Sequence, residues 1–259
     1  MQSCSLAQVS LSVPPHIEAS GALDAPIAHE WDEHNPTFLG WDDRIAVKFA
    51  PMTERAMLAL AIGYAEWITF RLAIPEDARE PFDFLEAMWV ATVDFRYLEL
   101  PRATTAAWRS VLYNPIEHCR GPSRGPLCAT QHLLSATVDL IDRDQPAGPV
   151  VACLYKLATQ VIPNVRALQR WSKAIVARFT ETYSAGPSDV LGMPVSRPTL
   201  ELDSTPEHDH ERWYSNFFAS LAPARNKFLV SPEKLRGSGI DYTSPELTQG
   251  TRWRLHRDE

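Results

Sequence analysis

Residues 55–74 read RAMLALAIGYAEWITFRLAI. Ala, Met and Leu, strong helix formers, fill the run, and Glu66 and Arg71 interrupt it. A stretch that is apolar nearly all round belongs to a helix covered on every side, and its internal charges argue against a membrane span. Thr53 stands where an N-cap is expected, and Pro75 stands where the helix must stop. The pattern therefore predicts a central, buried helix over residues 52–73.

Outward from it, further helices follow. Pro81 suits a first turn and Pro101 a stop, so a second helix is predicted over 81–100. Asp83, Glu86, Val90, Asp94 and Tyr97 fall on one stripe of that helix. A shorter helix is predicted over 103–113 and a Pro-rich loop over 114–126. Residues 127–143 return to helix, with Leu133, Leu134, Val138 and Ile141 inward. Gly148-Pro149 opens a helix to Ile162. Pro163 opens another to Tyr183, with Val165, Leu168, Ile175, Val176 and Phe179 inward and Arg166, Arg170, Lys173 and Ala177 outward. The tetrapeptide Ala91-Thr92-Val93-Asp94 recurs as Ala136-Thr137-Val138-Asp139. Both Asp residues are expected on solvated faces, because Asp is seldom buried. After Gly186-Pro187 the periodicity breaks. Residues 190–195 and 199–202 look like short strands, and His210–Leu221 like a short helix.

The fold class is thus mainly α, a bundle of about six to eight helices by periodicity. Its body spans 51–185. An irregular acidic segment (1–50) precedes it, and a turn-rich C-terminal appendage (186–259) packs on it, all expected as one structural domain.

The chain has 259 residues, eight Trp, 21 Pro and a formal net charge of -7. Such a charge repels nucleic acid phosphate and suits a basic partner. The N-terminal MQSCSLAQVS lacks the basic and apolar regions of a secretory signal. Four cysteines are too few for a disulfide scaffold at this length, so a reduced, cytoplasmic protein is expected.

Several stretches mimic catalytic motifs. Residues 116–132, IEHCRGPSRGPLCATQH, contain a G-x-S-x-G around Ser123 and four metal-binding residue types, His118, Cys119, Cys128 and His132. A nucleophile elbow needs a strand before it, and Pro115 with the polar Glu117, His118 and Arg120 denies one. The Cys and His spacing fits no common zinc pattern, although Cys128 and His132 share a helix face. In His29-Glu30-Trp31-Asp32-Glu33-His34 the histidines are five apart, where a zincin helix needs four. Glu207 and His210 make one E-x-x-H, and a di-iron bundle needs two. No phosphate-cradling glycine motif occurs. The expectation is a non-enzyme without cofactor or metal.

Residues 29–43, HEWDEHNPTFLGWDD, carry a different signal. Glu30, Asp32, Glu33, Asp42 and Asp43 alternate with Trp31, Phe38 and Trp41. Aromatic anchors ringed by acids suit a basic protein partner, the acids steering and the rings holding. An acidic loop whose tryptophans plug the core is the competing reading.

The helical strings TERAMLALAIGYAEWITFRL, DFLEAMWVATVDFRYLEL and RALQRWSKAIVARF resemble the cores of cytosolic immunity proteins of bacterial toxin–immunity pairs, especially those guarding against type VI secretion toxins. That resemblance covers residues 52–183. It implies an acidic, cytosolic inhibitor without catalytic residues that binds one cognate toxin, such as a nuclease of the restriction-endonuclease type with a basic cleft. A helical metal-dependent enzyme built on His118–His132 or Glu207–Glu211 is the alternative. A scaffold module using Arg166, Arg170 and Lys173 is another.

Overall fold

Nine α-helices and no β-strand occur among the described residues of the computed structural model, which are 11–31, 42–73, 79–100, 121–186, 189–204, 210–243, 245 and 247. They are α1 (Pro15–Glu18), α2 (Asp43–Ala46), α3 (Glu54–Leu72), α4 (Arg79–Ala91), α5 (Arg124–Asp142), α6 (Gly148–Val161), α7 (Val165–Thr182), α8 (His210–Ser220) and α9 (Pro232–Leu235). The helix predicted over 103–113 lies outside the described residues.

α3 is the axis. The Thr53 side chain accepts from Ala56 N, and 17 of the 19 helical residues are buried, which an all-apolar circumference demands. α4, α5 and α6 pack around it, and α7 closes a further side. Trp89 near the end of α4 reaches Glu66, and Asp94 beyond it lines a cleft with Arg55 at the start of α3, so α3 and α4 run antiparallel. α5 and α6 form a hairpin. Its turn is closed by Gln145 N donating to Leu140 O at 2.8 Å and Asp144 N donating to Ile141 O at 3.1 Å, a Schellman pair. Asp144 sits at φ 59°, a left-handed conformation that Asp tolerates better than most side chains. Pro163 bars Ile162 from helical backbone, and the Asn164 side chain then caps α7 through Ala167 N.

Three expectations are corrected. The second helix ends at Ala91, well short of residue 100. Thr92 Oγ1 donates back to Trp89 O at 2.7 Å, and the Asp94 carboxylate accepts from Arg96 N at 2.8 Å, capping a 3-10 turn at Phe95–Tyr97. Local side-chain hydrogen bonds here outcompete the helical ladder. Asp94 is therefore not solvated; it is 5% exposed and gripped by the Arg96 guanidinium, whose Nη2 lies 2.8 Å from Oδ2. Asp139, its counterpart in the repeated tetrapeptide, is half-buried and pairs with Arg143 one turn on.

The third correction concerns 190–195 and 199–202, which form no strand. Their polar backbone goes to helices instead. Val190 O and Leu191 O accept from Glu54 N and Arg55 N at 2.9 and 3.1 Å, and Tyr183 O accepts from Thr53 N at 2.9 Å. The C-terminal chain thereby satisfies amides that the start of α3 leaves without intrahelical partners. Residues Arg197–Leu200 form a 3-10 turn over the middle of α3. The apolar cluster is continuous from Leu11 and Ile17 through α3 to Phe217, Phe228 and Ile240. No helix among the described residues is long and apolar enough to cross a membrane.

Candidate functional site

The described parts of the acidic N-terminal segment are anchored at opposite ends of the helix pack. Arg71, near the end of α3, donates through Nη2 to Pro26 O at 2.7 Å, and His29 Nε2 donates to Pro122 O at 2.6 Å. These bonds lay residues 26–31 beside the start of α5. Trp31 is half-buried there, its indole lying so close over Gly125 that a methyl on that glycine would sit 2.7 Å from Cδ1. Its apolar area is spent on the protein's own core. At the other end of the segment, Asp42 caps α2 by accepting from Arg44 N at 3.0 Å. α2 lies against the start of α6, where Gly148 leaves room for Ala46 O.

Because α5 and α6 are antiparallel, their starts are a helix length apart, roughly 28 Å for a helix the size of α5. Glu30 and Trp31 therefore stand at one end of the bundle, with Asp42 and Asp43 at the other. Asp32, Glu33, Phe38 and Trp41 lie outside the described residues. Among the described residues, Glu18, Asp24, Glu30 and Asp43 are exposed and form no ion pair. Even against the exposed Arg44 and Lys48 they leave the described part of the N-terminal chain with an excess of negative charge, which steers a cationic partner.

Of the other candidates, His118 and Cys119 lie outside the described residues. Ser123 occupies the N-cap position of α5 after a turn at Gly121 (φ 85°), and the residues before that turn lie outside the described residues. The helix begins at Arg124, three residues earlier than its periodicity suggests. Pro126 is tolerated in the first turn because the N–H it lacks would have no intrahelical acceptor there. Cys128 is disulfide-bonded, so its sulfur is no zinc thiolate; Cys153 is a buried free thiol. The expectation of reduced cysteines thus fails at Cys128, since pairing follows proximity in space and not cysteine count. Among the described residues no three His, Cys, Asp or Glu side chains converge on a metal-sized site. Glu207 and His208 are outside the described residues, and His210 opens α8 with Nδ1 3.0 Å from Ser196 Oγ. A cleft lined by Arg55, Asp94 and Asp142 has room for about one water, whereas small-molecule sites run to several hundred cubic ångströms.

Sequence reasoning missed a buried polar centre. Glu66 is wholly buried, and its Oε1 accepts from Trp89 Nε1 at 2.8 Å and from Arg197 Nε at 2.6 Å. Oε2 has no partner among the described residues. Arg197 also donates to Ser12 O at 2.6 Å and lies over the Phe70 ring. Beside it, His16 stacks on Trp171 at 4.9 Å and bonds Glu201 through Nδ1. Nothing local signals this pairing, because Arg197 is 131 residues from Glu66. An acid alone in an otherwise apolar helix is the one hint.

Burial holds the imidazoles of His132 and His210 below their ordinary 6.5. The unfolded chain then binds more protons than the folded one just below that value, so acidification through the window costs stability. The urea midpoint is expected to fall between pH 7.5 and pH 5. Replacing both histidines with Gln should flatten that fall, and an unchanged slope would assign it to other groups.

No protein-family model, curated protein or solved structure matches this chain.

Proposed function

We propose that this chain is an immunity-type inhibitor, a helical protein that binds one basic toxin and blocks its active cleft. The observation that supports it is the row of exposed, unpaired carboxylates Glu18, Asp24, Glu30 and Asp43 along the N-terminal chain. It agrees with the resemblance of the helical core strings to toxin immunity proteins. The separation of Glu30 from Asp43 favours a partner that embraces the length of the α5–α6 hairpin over one that grips a single loop. Exposed acids of this kind act mainly on the association rate and its salt dependence.

The test is affinity capture of the tagged protein from its source cells, then calorimetry with the captured protein. A single stoichiometric partner with a toxin domain is expected. Glu30→Lys with Asp43→Lys should weaken that complex at least about tenfold and reduce its salt dependence, as close charge reversals do. Unchanged affinity would place the interface elsewhere, and capture of no toxin would sink the reading.

A further inference from the structure

α7 carries a cation in its first turn and an acid in its last, each against the helix dipole. Aligned peptide dipoles favour acids in the first turn of a helix and cations in the last. Here the first turn holds no acid and the last no base. Arg166 stands at the second helical position, Arg170 and Lys173 follow, and Glu181 occupies the last turn. The three cations at spacings of four and three residues share one helix face over about 10 Å. All three are exposed, and none forms an ion pair or hydrogen bond among the described residues. The opposite face, Leu168, Trp171, Ile175 and Phe179, is buried against the body. The outer face of α7 is therefore a concentrated positive pole, reinforced by the helix N-terminus, on a chain whose net charge is -7.

We infer that this face docks an acidic segment of a partner protein, with carboxylates spaced to meet Arg166, Arg170 and Lys173. Charge complementarity selects the occupant. A long polyanion such as nucleic acid feels the whole negative molecule and is repelled, whereas a short run of carboxylates feels the local field within a Debye length. Arg166 stays in a first turn that disfavours a cation, and an acidic partner compensates for it. This surface is independent of the carboxylates on the N-terminal chain.

The probe is a fluorescein-labelled helical peptide with Glu at positions i, i+4 and i+7, followed by anisotropy at low and physiological salt. The full-length protein is expected to bind it at low salt and to release it as salt rises. R166E/R170E/K173E should lose at least about tenfold, each exposed pair being worth up to a few-fold and each reversal adding repulsion. R44E/K48E/R236E reverses three other exposed cations and changes net charge equally; it should stay within about threefold of the parent. R166E alone should keep or raise Tm, since Glu suits the first turn. The proposal is overturned if the parent does not bind, or if both triple variants lose equally. It is overturned too if a single-stranded oligonucleotide binds more tightly than the peptide and loses binding in the α7 variant.

Discussion

Arg197→Met is expected to destabilise the protein by about 3–5 kcal/mol, the usual cost of removing one partner from a buried ion pair. Glu66 has no exposure, and without Arg197 its carboxylate would keep one donor, Trp89 Nε1 at 2.8 Å. A buried charge so weakly solvated costs far more than its lost contact. At about 2–4 °C per kcal/mol for a chain of this size, Tm should fall by roughly 6–20 °C. The companion variant carries the diagnosis. Glu66→Met together with Arg197→Met removes both charges and leaves apolar groups of similar volume, so most of the loss should return. If the single variant lost less than about 1 kcal/mol by urea titration, the pair would be a bystander. Arg197 also holds Ser12 O, so hydrogen exchange of residues 12–17 should quicken in the single variant.

Gly192→Ala tests the other joint between the C-terminal chain and α3. Gly192 has φ 77°, which costs a side-chain-bearing residue about 1–2 kcal/mol. A methyl there would also meet Thr53, with Oγ1 at 2.5 Å and both side-chain carbons equally close. Thr53 is the N-cap of α3, and the Gly192 carbonyl accepts from Arg55 Nη1 at 2.9 Å. Overpacking adds about 1–3 kcal/mol, so a total near 2–5 kcal/mol is expected in chemical denaturation. Gly186→Ala is the control, since a methyl there meets nothing within 4 Å and its φ is not left-handed. A similar loss in both variants would show that the segment tolerates no side chain for reasons other than this contact.

The helices were legible because their signals are local. α3, α6, α7 and α8 begin and end within a few residues of where Thr53, Gly148, Pro163 and His210 place them. A cap, a proline or an apolar stripe acts within one or two turns, so one short window contains the whole cause. The inward and outward stripes of α7 were legible for the same reason: Leu168, Ile175 and Phe179 are buried, while Arg166, Arg170 and Lys173 are not. Residues 190–202 misled because alternating apolar residues suit a strand only when another strand is there to pair. Here the start of α3 takes those carbonyls instead.

The acidic–aromatic stretch shows the same division within a candidate site. Its charge is a property of composition, and the exposed Glu30 and Asp43 keep it. Whether Trp31 faces a partner or the core depends on Gly125, 94 residues away, having no side chain. Composition and period thus determined a mainly helical chain with a buried central helix and an acidic leading segment. Only the tertiary structure decided that Glu66 meets Arg197, that Asp94 is buried, and that Glu30 and Asp43 stand at opposite ends of the bundle. Those outcomes depend on which side chains the packed core brings within hydrogen-bond reach, and no short window of sequence contains both partners.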